Sequence, residues 1–230
     1  MLIKSRNKKI TIDFFTDDYA IYDLFKIEKT SRHKPKWLTK DLPVRHCAGF
    51  ADMLTKSFVV RSWSDITILK DDQNNIITES SNPNCEITSN PIEHRGSFLS
   101  SQRFQHLKFL TPWVPRTSDP LHCSFYSAAW HNEKFLSTLC NLPAIRDFYF
   151  EKNWNIHFIL DKNNMQSTEM IYTNEPLQYF VPLTDKEVDV NCFYDPEEVN
   201  KLRSFIPNFF SSTGKSYFRL KNLIKNKENR

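Results

Sequence analysis

Hydrophobic residues in this chain recur mostly at every second position, and Asn, Asp, Ser and Pro fill the breaks between such runs. The clearest case begins at Phe58. Phe58, Val60, Ser62, Ser64, Ile66 and Ile68 alternate with Val59, Arg61, Trp63, Asp65, Thr67 and Leu69. A period of two built from aromatic and β-branched residues predicts a strand, because successive side chains point to opposite faces. Asp71-Asp72-Gln73-Asn74-Asn75 predicts a turn, since short Asx side chains bond their own backbone and accept left-handed φ. Ile76-Ile77-Thr78 then starts the return strand of a hairpin. Upstream, Phe50, Met53 and Leu54 fall at i, i+3 and i+4, which predicts one or two helical turns.

The same rules carry through the chain. Residues 9–16 alternate as a first strand, and Asp17-Asp18 then caps a short helix carrying Tyr19, Tyr22, Leu24 and Phe25. Residues 26–45 are polar and mostly basic, a surface connection anchored by Trp37-Leu38. Residues 79–96, with Asn82-Pro83 and Asn90-Pro91, read as a long irregular loop. A strand from Phe104 to Leu110 stops at Thr111-Pro112-Trp113-Val114-Pro115, where two fixed φ angles give an extended, sheet-edge segment. Leu121 to His131 is the next strand. From Ile145 to Pro182, apolar runs are separated by Asn/Asp turns, as at Asp161-Lys162-Asn163-Asn164. Asp195-Pro196-Glu197-Glu198 predicts a helix start: Asp195 accepts from free N–H groups, Pro196 lacks a donor where none is needed, and Glu198 completes a capping box. Val199, Leu202, Phe205 and Ile206 form its packing face, and a last amphipathic segment runs from Tyr217 to Ile224.

Many short strands with few helices between them predict a mainly β fold, an antiparallel sandwich or barrel of jelly-roll or double-stranded β-helix type, with one or two short C-terminal helices. Residues 1–190 are expected to form that domain, and 191–230 a C-terminal helix and basic tail.

Composition narrows the function. With 230 residues, 40% hydrophobic and 19 Phe, the chain can bury a sizeable core. Three glycines rule out Gly-rich phosphate loops. Five widely spaced cysteines and no secretory leader point to a reducing compartment, and no run approaches the ~18 apolar residues of a membrane helix. The net charge of +4 is concentrated at the ends, and residues 215–230 carry Lys215, Arg219, Lys221, Lys225, Lys227 and Arg230 against Glu228. Such a tail attracts phosphate or an acidic surface, so nucleic acid is one candidate partner.

Candidate chemistry is sparse. His131-x-Glu133 with His157 matches two imidazoles and a carboxylate, the set that binds Fe(II) on one face in oxygenases of double-stranded β-helix type. His46-Cys47 and His122-Cys123 offer thiolate and imidazole for zinc, against the simpler reading of buried cysteines beside satisfied histidines. No GxSxG elbow occurs.

Three short motifs stand out: Cys47-Ala48-Gly49-Phe50-Ala51-Asp52, Trp63-Ser64-Asp65 and Thr111-Pro112-Trp113. Over roughly residues 43–185 they resemble a family of uncharacterised phage and bacterial β-rich proteins with a Cys-Pro-Gly-Phe-x-Asp turn, a Trp-x-Asp strand and a Pro-Trp segment. Ala48 departs from the Pro of that pattern, and Arg116-Thr117-Ser118-Asp119-Pro120 replaces its later Gly-containing turn. The resemblance implies a phage origin and singles out Cys47, Gly49, Asp52, Trp63, Asp65 and Trp113 as binding candidates; it implies no activity. The leading expectation is a non-enzymatic accessory or virion-associated protein, in host cytoplasm or virion, that works through protein partners or self-association without a cofactor. The rivals are a metal-dependent oxygenase (Fe(II), or zinc) using His131, Glu133 and His157, and a nucleic-acid-associated protein using the basic ends.

Overall fold

The computed structural model describes residues 9–32, 47–89, 103–149 and 154–204. Strand β1 (Ile10–Thr16) leads through α1 (Tyr19–Leu24) to β2 (Glu28–Lys29). Helix α2 (Ala48–Lys56) precedes β3 (Phe58–Arg61), β4 (Ile66–Lys70), β5 (Ile76–Ser80) and β6 (Ile87–Ser89). Next come β7 (Phe104–Leu110), β8 (Val114–Thr117), β9 (His122–Ser127), α3 (Lys134–Ser137), β10 (Leu139–Asn141) and β11 (Ala144–Asp147). The strands end with β12 (Asn155–Asp161), β13 (Thr168–Ile171), β14 (Pro176–Pro182) and β15 (Val188–Tyr194), before α4 (Pro196–Ser204).

The strands of the described residues form four sheets, ordered β15-β1-β8, β10-β12-β7-β6, β11-β9-β14-β3-β2 and β13-β4-β5. Among the described residues pairing is antiparallel except between β1 and β15, which run parallel from Ile10↔Val188 to Thr16↔Tyr194. The fold is thus the expected mainly β, sandwich-like one, and among the described residues no sheet closes into a barrel. No helix among the described residues is long and apolar enough to cross a membrane.

Two sheets, with residues from the connection between β11 and β12, meet on an aromatic centre. Phe14 from β1, Phe125 from β9, Phe180 from β14, Phe148 and Trp154 are all buried, and each ring lies within 6 Å of several of the others, mostly edge-on or tilted. Edge-to-face packing sets a positive ring edge against a negative face, which adds to the gain from excluding water. A chain of polar groups crosses the interior: Trp154 Nε1 donates to Gln178, Gln178 Nε2 to Asn141, and the Thr111 hydroxyl to the Trp154 carbonyl. A second, smaller cluster of Phe15, Val114, Val199 and Leu202 seats α4 on β1 and β8.

Local chemistry explains the element ends. Asp71 Oδ1 accepts from the backbone of Gln73 and Asn75, Asn74 takes φ 65°, and the β4–β5 hairpin closes as the Asx run requires. Pro115 lies opposite Phe14 on β8, an edge strand, where a missing N–H costs no ladder bond. Asp195 caps α4 by accepting from Glu198 N at 2.9 Å.

Four expectations are corrected. The run Phe58–Leu69 is not one strand: it breaks at Ser62–Asp65 and passes from the five-stranded sheet to the β13-β4-β5 sheet. Ser62 makes the last bonds to the segment before β14, its N–H to the Glu175 carbonyl and its carbonyl from Asn174 N–H, and its hydroxyl then donates to the Ser64 carbonyl as the chain leaves that sheet. The capping box is half formed. The Asp195 N–H donates to the Thr16 carbonyl, and the Glu198 carboxylate is taken by Arg116 at 2.8 Å. The strand expected over Leu121–His131 stops at Ser127, and α3 begins at Lys134. The boundary set at residue 190 falls inside β15, because residues 188–194 hydrogen-bond along the length of β1. Trp37-Leu38, Phe205, Ile206 and the 217–224 segment lie outside the described residues, as does the basic tail.

Candidate functional site

The end of β1 is where the irregular segments converge. Thr16-Asp17-Asp18 leaves the sheet. The Asp18 N–H donates to the Thr16 hydroxyl, and Asp18 Oδ1 accepts from Ala20 N at 2.9 Å and Ile21 N at 3.3 Å, which starts α1. Asp18 Oδ2 accepts from Asn84 in the β5–β6 loop at 3.3 Å, and Asp17 receives Arg203 from the last turn of α4 at 3.0 Å. The crossover carrying Trp63 and the turn after β7, Leu110-Thr111-Pro112, supply the remaining walls. Together they enclose an open cleft of about 610 Å³ lined by Asp17, Asp18, Tyr19, Trp63, Asn84 and Arg203 among others.

Hydroxyl groups fasten the crossover that carries Trp63. Ser64 Oγ lies 2.6 Å from Ser80 Oγ and 3.0 Å from Ser81 Oγ, and the Asn82 N–H donates to Ser64 Oγ, so the crossover is tied to the end of β5. Trp63 is buried against Cys85. Burial pushes the Cys85 thiol up, partly opposed by the Ser80 hydroxyl and the Trp63 indole beside the sulfur. At the lip, Tyr19 is 62% exposed, meets Tyr194 edge-on at 5.6 Å and packs near Tyr22 at 6.1 Å, while Lys26 covers the Tyr22 ring. The cleft therefore presents carboxylates, amides and a guanidinium beside an aromatic ledge. That is binding chemistry: donors and acceptors for orientation, rings for contact area.

The sequence-selected positions divide between places. Trp63 and Pro112 both line the cleft, and Trp113 is buried directly behind Pro112. Asp65 is structural: its carboxylate accepts from Thr173 N at 2.7 Å and Thr173 Oγ1 at 2.9 Å, bonds that hold its pKa below the usual carboxylate range. Cys47 precedes α2 without a capping side-chain bond, Gly49 has open space where a Cβ would stand, and Asp52 pairs with Lys56 on the helix surface at 2.9 Å. Thr55 and Lys56 of that helix line a separate hollow of about 290 Å³ with Lys29, Pro182 and Lys186.

The proposed metal ligands are not gathered. His131 Nδ1 is hydrogen-bonded to the buried Tyr179 hydroxyl, whose pKa burial raises. Glu133 sits at the start of α3, exposed, with its backbone carbonyl accepting from Leu136 and Ser137. His157 Nδ1 faces His106 Nε2 across β12 and β7 at 2.9 Å. Among the described residues no three or more His, Cys, Asp or Glu side chains are placed to hold a metal ion. His46 lies outside the described residues, and Cys123 is buried with its thiol pushed up by burial and by Asp147.

Sequence reasoning missed Asn84, Arg203 and Tyr194 as partners of Asp17-Asp18-Tyr19, because nothing in local pattern shows that α4 and β15 return beside β1. No protein-family model matches the chain, and neither characterised proteins nor solved structures show a match.

Proposed function

We propose that this protein is a non-enzymatic binding module whose protein partner docks across the cleft and its aromatic lip. The observation that carries this reading is exposed Tyr19, in ring contact with exposed Tyr194 on one side and half-buried Tyr22 on the other, beside walls already fixed by hydrogen bonds. Single exposed apolar residues are ordinary on protein surfaces, and Leu136 and Ile145 are of that kind; rings held in contact beside a preformed cleft are the usual material of protein contacts. A preformed wall also lowers the ordering cost of association. The resemblance noted above and the glycine-poor composition support a phage-encoded accessory or virion-associated role, in host cytoplasm or virion.

Site-specific photocrosslinking tests it. A benzophenone amino acid at Tyr19 or Tyr194 is expected to trap a discrete protein adduct in cells making the full chain, including a dimer if the partner is a second copy. The same probe at Leu136 or Ile145, both more exposed, serves as the control. Adducts at the control positions alone, or at none, overturn the reading.

A further inference from the structure

We propose that this protein self-associates through the outer edge of β15, two copies pairing antiparallel about a two-fold axis at Asn191 so that their β15-β1-β8 sheets become one. The ladder to β1 uses only half of the β15 backbone. Ile10 N–H donates to the Glu187 carbonyl and Asp195 N–H to the Thr16 carbonyl, so in the parallel register between them the odd-numbered residues of β15 bond to β1. The N–H and C=O groups of Val188, Val190, Cys192 and Tyr194 therefore point out of the sheet. β15 ends the strand order on that side, and among the described residues no hydrogen bond reaches those backbone groups. A row of unpaired donors and acceptors is a template for another strand.

The other sheet edges among the described residues are guarded. Their strands run from two residues to five, and β8, the far edge of the same sheet, carries Pro115. β15 runs for seven residues without proline, and the one charge inside it, Asp189, is held by Lys9 at 3.2 Å. Asn191, Phe193 and Tyr194 are exposed. The chain before β2 meets the strand on its core face, where the Ile27 N–H reaches the Cys192 sulfur.

A second copy fits this edge because the strand is complementary to itself. With the axis at Asn191, Val188 lies opposite the partner's Tyr194 and Val190 opposite the partner's Cys192. Each such pair exchanges both of its hydrogen bonds, so every outward group of both strands is used. On the core face the register sets valine beside tyrosine. On the other face Asp189 meets the partner's Phe193 and Asn191 meets the partner's Asn191, so no like charges stand opposite within the strands. Just beyond them Glu187 approaches the partner's Asp195, and each is engaged in its own copy, Glu187 by Lys9 at 3.1 Å and Asp195 by the α4 cap. A two-fold contact closes at two copies and consumes the edge. A contact made of strand edges and flanking rings is small, so micromolar dissociation is expected.

Sedimentation velocity of the untagged full chain over a range of concentrations tests the proposal, and a monomer–dimer equilibrium is expected. Val190→Pro removes an outward N–H and no bond to β1, a position where an edge strand tolerates proline. It should weaken the dimer tenfold or more. Asn191→Cys, in a chain carrying Cys47→Ser and Cys140→Ser, decides the matter if the proline variant fails to fold. In the proposed register the two copies of residue 191 form a non-hydrogen-bonded pair with Cα atoms about 4.5 Å apart, within the span of a disulfide. Mild oxidation should link the copies far faster than it links Leu136→Cys in the same background, although Leu136 is the more exposed on a single copy. The pairing is separate from the cleft reading: a different protein trapped at Tyr19 bears on the cleft alone, and a dimer of the purified chain on the edge alone. A chain monomeric at millimolar concentration, a dimer unchanged in Val190→Pro, or Asn191→Cys linking no faster than Leu136→Cys would each overturn the assignment.

Discussion

Phe180 is in ring contact with Phe14, Phe58, Phe125, Phe148 and Trp154, so a single side chain joins the five-stranded sheet to β1 and to the two aromatics between β11 and β12. Phe180→Ala is expected to cost about 3–5 kcal/mol in urea unfolding, through lost transfer energy and the cavity left behind; a loss under about 1 kcal/mol would mean the centre collapses around the gap. Asp65 makes a different prediction. Its folded-state pKa is depressed by the Thr173 bonds, so its contribution to stability is present above the ordinary carboxylate pKa and disappears as pH falls through the lowered folded value. Asp71, held by Asn75, and Asp161, held by Arg103, act in the same direction. Asp65→Asn should therefore flatten the acid limb of a stability–pH curve below about pH 4, leaving the alkaline side unchanged. An acid limb identical to the parent's would show that the Thr173 bonds persist without the charge.

At the scale of elements, the caps carry measurable weight. Asp195→Ala should destabilise by about 1 kcal/mol, the usual cost of an N-cap, seen as a lower urea midpoint with m unchanged. In the β4–β5 turn, Asn74→Gly should be neutral or stabilising, because φ 65° is left-handed. Asn74→Val should cost about 1–2 kcal/mol, and equal stability of the two variants would contradict the turn assignment. These elements were legible in the sequence because their causes are local: alternation for β1 and β7, Asx side chains for the hairpin, a capping Asp before Tyr19 and before Pro196. The Ser62–Asp65 break was not, since it depends on Glu175 and Thr173 arriving from far along the chain. The missing half of the capping box has the same origin, as Thr16 and Arg116 outcompete the local partners. Trp63 and Pro112 were visible as motif residues, but their shared cleft was not, and neither was the His106–His157 pairing, which needs the register of two strands separated by a turn-rich segment.

Across the whole molecule, the five cysteines grade the packing. Cys47 and Cys140 are exposed, Cys85 and Cys123 are buried, and Cys192 is intermediate with its thiol pushed up to about 11 by burial. Pulsed alkylation read by mass spectrometry should label Cys47 and Cys140 first, Cys192 slowly, and Cys85 and Cys123 only on global unfolding. Cys123 reacting as fast as Cys140 would mean the five-stranded sheet opens locally. The parallel pairing of β1 with β15 bears on how this state is reached. Asp13 and Asn191 bond across 178 residues, so on a ribosome β1 emerges well before β15 and waits with that edge unsatisfied until β15 has been made. A nascent chain in that condition has an open strand edge and exposed Phe14 and Phe15 to shield. The emergence of β15, rather than that of β1, should therefore decide whether a given molecule folds or aggregates.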